Sequence, residues 1–346
     1  MDSPVIHSLR HAWPVARWRD VHMVIGVSGG TDSMALLRAM LTIKGEFGGM
    51  GQLRVVHIDH GLRGSDSTAD AQWLAHQCDL LGIPLTVCQS DVRSLAASQG
   101  DGLEAAARDQ RYQQLTLVAE QTGARYVVTG HNANDQAETV LFRLLRGSGL
   151  RGLVGIRKYR PLSPSITLVR PLLGCWRKDL VSYLNSLKQP FREDQTNTDT
   201  QFKRNRIRLD LLPHLRSEYN VRIDEALLHL SEQAAVAGQF IETEAEKLLA
   251  LCDLEITLQP TGAQLGSHGV VSRLHTAPLE MQSELLVCEA IRLAWRQAQL
   301  PEQAMTHQKW QQLAQLAQSD ETSAALNLPG KIQATVSDGQ LVLAFL

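Results

Sequence analysis

Residues 28–33 read SGGTDS, and this short stretch decides the fold of the chain. A β-rich apolar run from Val21 to Val27 precedes it, and apolar residues recur at helical spacing from Met34 to Leu41 after it. A turn between a strand and a helix presents unpaired backbone N–H groups and a positive helix dipole, so it attracts an anion. The sequence therefore predicts a phosphate-binding loop at residues 28–33.

The residue types in this loop favour a phosphate that is bound together with a divalent cation. Gly29 and Gly30 let the backbone approach a phosphate closely, while Ser28 and Ser33 add hydroxyl donors. Asp32 is compatible with phosphates when a hard cation such as Mg²⁺ is bound between them. No Gly-Lys-Ser or Gly-Lys-Thr follows, so the loop is not a Walker A sequence. A serine- and glycine-rich turn without a ligand is the alternative interpretation.

Length and composition set the class of protein. A chain of 346 residues predicts two domains, and 44% hydrophobic with 20% charged residues is typical of globular proteins. The sequence contains no secretory signal and no apolar run of about 18 residues, so we expect a soluble, cytoplasmic protein without membrane contact. The five cysteines are widely spaced and form no C-x-x-C pair, which disfavours a disulfide framework or a zinc ribbon.

Positive charge is concentrated in one segment, although the whole chain carries a net charge of −2. Between Arg143 and Arg216 stand 16 lysines and arginines but only 5 acidic residues, a local net charge of +11. Such a segment is typical of a surface that binds a phosphate backbone. A solvated surface with many ion pairs remains the alternative from charge alone.

Strand and helix patterns alternate after the loop, and they predict an α/β fold. The expected architecture is a parallel sheet with helices on both faces in residues 1–215. Residues 216–346 read as a helical connector followed by a small α+β domain, which we expect to bind tRNA. Pro161 and Pro164 favour an irregular loop before the last strand of the first domain. The predicted strands are 21–27, 53–58, 84–89, 125–129 and 168–173, and the predicted helices include 68–81, 102–122, 132–146, 176–187 and 223–251.

Polar clusters follow three of the predicted strands, at residues 28–33, 57–63 and 130–139. In open α/β sheets the ligand lies beyond the carboxyl ends of the strands, so we expect these clusters to converge. His131, Asp135 and Glu138 stand at a helix start, where capping explains one carboxylate but not the whole set. Arg108 and Arg111 share one face of the helix 102–122, which favours a common ligand. The alternative is that Arg108 forms a surface ion pair with Glu104, four residues earlier.

Taken together, the motifs resemble those of the tRNA(Ile)-lysidine synthetases, which belong to the N-type ATP pyrophosphatase or PP-loop superfamily. The resemblance is ordered along residues 20–215 and weaker in residues 216–346, where the long helix and small domain are similar to the family's first C-terminal domain. Longer members carry a further tRNA-binding domain, and we expect this chain to be a shorter form without it. One departure is Asn134, where many members have a second acidic residue. The motifs are SGGTDS at 28–33, HIDHGLR at 57–63, EAAARDQRY at 104–112, GHNANDQAET at 130–139, RGSGLRGL at 146–153, VRPLL at 169–173 and NRIR at 205–208.

The resemblance implies an adenine nucleotide alpha hydrolase-like fold and a two-step reaction. ATP adenylates O2 of the wobble cytidine in the CAU anticodon of tRNA(Ile) and releases pyrophosphate. The ε-amine of free L-lysine then attacks C2 and displaces AMP, which leaves lysidine. Lysidine pairs with A instead of G, so the codon and the amino-acid identity change from methionine to isoleucine. The oligomeric state is left open, with a homodimer as one option.

The resemblance also assigns roles to residues of this sequence. Asp32 and Asp135 would hold Mg²⁺ over the phosphates of ATP, and the backbone at His57 and Ile58 would contact adenine. Arg108 and Arg111 would bind the cytidine, the lysine carboxylate or the adenylate, while His131 and Glu138 would handle protons or orient the amine. The candidate catalytic residues are thus Asp32, Asp135, Arg108, Arg111, His131 and Glu138; the ATP-binding residues are Ser28, Gly29, Gly30, Thr31, Asp32, Ser33, His57 and Ile58; the RNA-binding residues are Arg143, Arg146, Arg151, Arg204, Arg206 and Arg208.

Three other functions stay open at this point. A tRNA thiolase on the same fold activates a base carbonyl with ATP, but such enzymes usually need paired cysteines or an iron–sulfur cluster. An amidating ATP pyrophosphatase acting on a small molecule would not need the basic segment. A non-catalytic, ATP-sensing RNA-binding protein would not need the three groups Asp32, Asp135 and His131 together at the same edge of the sheet. Release of pyrophosphate separates the enzymes from the binding protein.

Overall fold

The computed structural model describes residues 3–59, 65–89, 103–192, 203–257, 269–319 and 325–346. For residues 65–67, 103–105, 203–204 and 269–270 it describes the backbone alone. The chain divides into two compact units, Met1–Glu232 and Gln233–Leu346. The boundary that the sequence predicts at residues 215 and 216, between a catalytic and a C-terminal domain, stays a prediction. Within the described residues, no helix has the length and apolar character that a membrane crossing requires.

The first unit is built on a six-stranded sheet with the order β3-β2-β1-β4-β6-β5. The first five strands in that order pair in parallel, and only β5 runs antiparallel, at one edge. This arrangement confirms the predicted parallel sheet. The strands are β1 (Met23–Gly26), β2 (Leu53–Asp59), β3 (Leu85–Gln89), β4 (Tyr126–Thr129), β5 (Tyr159–Pro161) and β6 (Thr167–Val169).

Successive strand residues point to opposite faces of the sheet, and the apolar side chains of both faces are buried under helices. Ile25 packs in the same core as Leu36, whereas its neighbour Val24 packs in a second core with Leu115. The helices of the unit are α1 (Pro4–Ala12), α2 (Thr31–Phe47), α3 (Ser65–Leu80), α4 (Leu103–Gln121), α5 (Ala133–Leu145), α6 (Leu150–Leu153), α7 (Arg177–Ser186), α8 (Lys203–Arg206) and α9 (Leu212–Glu218).

The edge strand β5 lies where the prolines predicted an irregular loop, so that expectation is wrong for Tyr159–Pro161. Tyr159 pairs with Val169 and Pro161 with Thr167. A proline is tolerated here because an edge strand has one side on which no N–H donor is required.

A π-helical turn, Ile207–Leu211, joins α8 to α9. Pro213 follows at the start of α9 and has no N–H to offer the carbonyl of Leu209, and its ring crowds that carbonyl. The wider π-turn lets the helical path continue through this proline. Turns of this kind recur at functional sites, and this one contains Arg208.

The second unit combines helices with an antiparallel sheet of order β7-β8-β11-β10-β9, as expected for a small α+β domain. Its core centres on Trp295 and Trp310, whose rings meet edge to face at 5.5 Å. The strand β8 was not predicted from the sequence. The remaining elements are α10 (Ile223–Leu251), which contains the boundary between the units, β7 (Glu255–Ile256), β8 (Gly269–His275), α11 (Glu284–Gln297), α12 (His307–Ala317), β9 (Ala325–Leu328), β10 (Ile332–Ser337) and β11 (Gln340–Phe345).

Candidate active site

The 28–33 loop connects the carboxyl end of β1 to α2, as the sequence predicts. Gly29 has φ +89°, a conformation that favours glycine, and Gly30 precedes the first helical residue. The Ser33 hydroxyl donates to the Gly30 carbonyl at 3.0 Å and accepts from the Ser28 N–H at 3.2 Å. The two serine hydroxyls therefore shape the loop, and the first turn of α2 begins directly after it, as in helix starts that bind anions.

Arg192 holds this loop from the side, a role that the sequence did not reveal. Its backbone N–H donates to the Gly29 carbonyl at 3.0 Å. Its guanidinium pairs with Asp70 and lies 5.4 Å from the ring centre of Trp73. A Cβ at Gly29 would stand 3.2 Å from the same indole ring. Arg192 and two residues of α3, Asp70 and Trp73, thus hold the loop in place at the end of β1.

The Asp32 carboxylate lies in the first turn of α2, close to Arg177 and to the Asn132 side chain. Its Oδ2 lies 3.6 Å from the Arg177 Nη1. Its Oδ1 is buried and has no hydrogen-bond partner among the described residues. Burial raises the pKa of Asp32 most, Arg177 lowers it, and the nearby Asp135 carboxylate raises it further. A buried carboxylate oxygen without a donor is costly by itself, and a cation between the protein and a phosphate would compensate for it.

Asp135 and Asn132 form the start of α5 together. The Asn132 Oδ1 accepts from the Asp135 N–H at 3.1 Å, and the Asp135 Oδ2 accepts from the Asn132 N–H at 3.0 Å. This reciprocal capping fixes the Asp135 carboxylate near Asp32. No cluster of three or more acidic, histidine or cysteine side chains forms a complete metal cage within the described ranges. Two carboxylates suit Mg²⁺ nonetheless, because that ion takes its other ligands from water and phosphate.

His131 and Glu138, the other two candidate residues of the 130–139 motif, flank Asp135 in the chain. His131 is hydrogen bonded through Nδ1 to the Thr129 hydroxyl at 3.0 Å. Glu138 is buried one helical turn after Asp135, with its Oε1 3.4 Å from the Arg208 Nε. Arg208 is also among the groups that lower the pKa of Asp32. Arg208, which was expected to contact RNA, therefore lies at the carboxylate cluster.

Asn134 explains how Arg177 reaches Asp32. The Asn134 Oδ1 accepts from the backbone N–H of Arg177 at 3.0 Å, and Arg177 is the first residue of α7. Asn134 thus caps a helix whose own cap residue, Trp176, provides no side-chain hydrogen bond.

We expect Asn134→Ala to lower the free energy of unfolding by about 1 kcal/mol, because the α7 N-terminus loses its only side-chain cap among the described residues. Asn134→Asp should retain nearly full stability, since a carboxylate accepts the same hydrogen bond. Urea denaturation of both variants measures the difference. Equal stability of the alanine and aspartate variants would contradict this capping role.

The arginines predicted to bind RNA differ in their surroundings among the described residues. The Arg143 Nη1 donates to the carbonyls of Gly152 and Gly155 at 2.9 and 2.8 Å, so Arg143 supports the segment around α6. Arg146 and Arg206 line a cavity of about 590 Å³ with Phe142 and His214. Arg108 and Arg111 are exposed on α4, and Arg151 is partly buried. The side chain of Arg204 and the residues 60–63 of the HIDHGLR motif lie outside the described residues.

His57 and Ile58 lie on β2 beside the loop. His57 is buried, and its Nδ1 is hydrogen bonded to the Val27 carbonyl at 2.9 Å. The imidazole therefore ties β2 to the start of the phosphate loop. The contact of this backbone with adenine stays a prediction.

Comparison with known proteins decides the family. Residues 6–215 match the model of the PP-loop domain family, whose ATP-binding character supports the use of ATP. The tRNA(Ile)-lysidine synthase of a Synechococcus species is 36% identical over 322 residues, which cover 93% of this chain and 90% of the relative. The chain belongs to the tRNA(Ile)-lysidine synthase family. A second lysidine synthase, from Symbiobacterium thermophilum, is 33% identical over 92% of this chain and 64% of its own length.

Members of the lysidine synthase family differ in length. The chain spans 64%, 50% and 47% of three of the lysidine synthases that it matches. Among solved structures, a U34-tRNA thiolase from Methanococcus maripaludis with a [4Fe-4S] cluster has a TM-score of 0.52 at 15% identity, over 66% of this chain and 78% of the thiolase. That likeness shows that the two proteins share a fold.

Proposed function

We propose that this chain ligates free L-lysine to C2 of the wobble cytidine in the CAU anticodon of tRNA(Ile), through an adenylated tRNA, with release of pyrophosphate and AMP. The observation that carries the proposal is the match to a lysidine synthase over 93% of this chain and 90% of the relative. The arrangement of the 28–33 loop beside Asp32 and Asp135 supports it, since adenylation needs a site for pyrophosphate and compensation for its charge. An ATP-dependent reaction on tRNA would take place in the cytoplasm.

The phosphate loop and the carboxylates would prepare ATP for attack. The N–H groups at the start of α2 would bind the pyrophosphate that leaves, and the fixed loop would hold it without reorganisation. Asp32 and Asp135 would hold Mg²⁺, which when bound neutralises phosphate charge. Arg177, at 3.6 Å from Asp32, would keep the carboxylate oriented.

The carboxylates of α5 would receive the lysine. Glu138 is buried one helical turn after Asp135 and lies 3.4 Å from Arg208, so its carboxylate would orient the ε-ammonium in a site with little water. The amine must lose a proton before it attacks C2, and His131 or Glu138 would accept that proton. Arg108 and Arg111, both exposed on α4, would bind the lysine carboxylate, the adenylate or the cytidine, since a guanidinium pairs with planar anions through two parallel hydrogen bonds.

Arginines of the basic segment would contact the tRNA. Arg146 and Arg206 line the cavity beside the π-turn, where an unpaired nucleotide has room. Arg151 and Arg204 are proposed to contribute further phosphate contacts. Arg143 and Arg208 would act indirectly, because their guanidiniums are engaged with the Gly152 and Gly155 carbonyls and with Glu138. A homodimer stays open, because nothing in one chain tests it.

The thiolase alternative lacks support from the cysteines. Cys78, Cys252 and Cys288 are buried, and burial raises the pKa of each thiol to about 11. Such thiols are scarcely ionised at neutral pH and are poor nucleophiles or iron ligands. The resemblance to the thiolase is therefore one of fold.

The deciding experiment is incorporation of radiolabelled lysine into an unmodified tRNA(Ile) transcript with a CAU anticodon, in the presence of ATP and Mg²⁺. We expect label in the RNA and one pyrophosphate released per lysine. The same transcript with U in place of the wobble C is the matched control and should take up no label. Pyrophosphate release without labelled RNA would show a different nucleophile, as in an amidating enzyme or a thiolase. Absence of both would favour the non-catalytic ATP-binding protein.

A further inference from the structure

An arginine cluster that includes Arg108 surrounds Tyr112 at the carboxyl end of β6. The Arg170 Nη2 donates to the Tyr112 hydroxyl at 3.0 Å, and the Arg170 Nη1 donates to the Arg157 carbonyl at 2.6 Å. The Cζ atoms of Arg160 and Arg108 lie 4.4 and 5.8 Å from the centre of the Tyr112 ring. We name Arg108, Tyr112, Arg157, Arg160 and Arg170 the tyrosine–arginine cluster. It joins α4 to the edge hairpin of the sheet.

Within the described residues, arginines and no carboxylates act on the charged groups at the centre of the cluster. Arg170 is 2% exposed, yet its hydrogen-bond partners are a carbonyl and a phenol, both neutral. Among the residues that the structure describes, no carboxylate forms an ion pair with the four arginines of the cluster, and the Nε atoms of Arg160 and Arg170 are buried without a hydrogen-bond partner. Buried charges in proteins are normally paired, so this cluster has the composition of a site for an external anion.

Electrostatics within the cluster agree with this geometry. Burial raises the pKa of the Tyr112 hydroxyl, but Arg170, Arg108 and Arg160 outweigh burial and bring it below its ordinary value. Burial lowers the pKa of Arg143, and the neighbouring Arg108 and Arg157 lower it further. The local potential is therefore positive, and an anion would relieve the repulsion between like charges.

The position of the cluster selects the anion. Arg170 directly follows β6, and the phosphate loop follows β1, with β4 between them in the sheet. Two strand spacings separate the two sites by roughly 10 Å along the same rim. A polynucleotide whose modified base lies near the phosphate loop has phosphodiesters on either side of that base at this range of distance. Arg108, Arg157 and Arg160 are at least partly exposed and can contact such a phosphodiester, while buried Arg170 anchors Tyr112 behind them.

We propose that the tyrosine–arginine cluster binds a backbone phosphodiester of the RNA next to the nucleotide that is modified. The inference rests on the proposed function, because it takes the polynucleotide as the ligand that spans the rim. A phosphate accepts paired hydrogen bonds from guanidiniums, and arginine and aromatic planes are common in sites for unpaired RNA loops. The cluster would set the position of the target base without reading its identity.

The test is binding of a CAU anticodon stem-loop RNA to the full chain, measured by fluorescence anisotropy over a range of salt concentrations. Arg160→Ala should weaken binding about tenfold and reduce the slope of log affinity against log salt by about 0.7. Arg160→Lys should recover part of the affinity, since the charge remains. Arg125→Ala is the matched control, because Arg125 is exposed at the opposite end of β4 and should change binding little.

A second RNA identifies the phosphate. Stem-loops that carry one uncharged methylphosphonate, placed on either side of the wobble cytidine, should lose affinity for the unaltered chain at one position, and Arg160→Ala should cost no further affinity there. An unchanged RNA affinity with a weaker affinity for ATP or a higher KM for lysine would overturn the proposal. An equal loss in Arg160→Ala and Arg125→Ala would overturn it as well. RNA binding requires no ligation, so failure of lysine incorporation by the unaltered chain is a separate result.

Discussion

Asp32→Asn is expected to lower the rate of lysine incorporation at least about 100-fold while leaving the isolated protein as stable as before or more stable. The substitution keeps the shape of the side chain but removes the charge that would bind the cation over the phosphates. Loss of this charge should affect pyrophosphate release and lysine incorporation equally, since both follow adenylation. Steady-state assays of the two products measure the effect.

The stability part of this prediction follows from the surroundings of the carboxylate. Asp32 has a buried oxygen without a hydrogen-bond partner among the described residues, and burial raises its pKa. In the absence of Mg²⁺ and ATP, the charged form therefore costs stability above the raised pKa, and the cost disappears as the pH falls through it. The melting temperature of Asp32→Asn should match or exceed that of the parent at neutral pH, with a smaller difference in acid. An active but less stable variant would refute both parts.

Gly130→Ala is expected to damage the ATP site through the backbone. A Cβ at Gly130 would stand 2.8 Å from the Asp32 carbonyl oxygen and 3.0 Å from the Ser33 N. Both are main-chain atoms of the first turn of α2, so the helix start must move away from β4. We expect a loss of about 1–3 kcal/mol in the free energy of unfolding and at least about a tenfold rise in the KM for ATP.

Gly45→Ala is the matched control on the same helix. Gly45 is exposed in α2, and an added Cβ meets no atom within 4 Å in the described structure. Alanine should raise the free energy of unfolding by up to about 1 kcal/mol, because it is the better helix former, and the KM for ATP should not change. Urea denaturation and ATP titration of both variants give the comparison. Normal ATP binding by Gly130→Ala would show that the close approach is unimportant.

Local sequence carried enough information for the fold around the loop. The order of strand, glycine turn and helix at 23–47 depends on periodicity and on glycine chemistry, both of which act over a few residues. The alternation of the next elements then leaves a parallel sheet as the consistent solution. The strands β5 and β8 were not predicted. β5 is three residues long and ends in proline, so it has little local signal and is stabilised by its pairing with β6.

The candidate site could be predicted only where its residues follow strand ends. The convergence of the 28–33 and 130–139 clusters was expected because both follow predicted strands, and the pairing of Asp32 with Asp135 was implied by the family resemblance; the structure pairs the two strands, β1 and β4, in parallel. The contacts of Arg177 with Asp32 and of Arg192 with Gly29 join distant parts of the chain, and no local pattern announces them. The charge pattern could not reveal that Arg143 is hydrogen bonded to the carbonyls of Gly152 and Gly155.

The π-turn at Ile207–Leu211 limits how the chain can change in length. Such a turn contains one residue more than the α-helix that would replace it. Deleting any residue there would restore the regular helix and rotate the preceding turn by about 100° relative to α9. Arg206 would then leave its side of the cavity, and Arg208 would no longer face Glu138. Relatives of this chain should therefore tolerate substitutions within this turn, whereas insertions and deletions there should be rare.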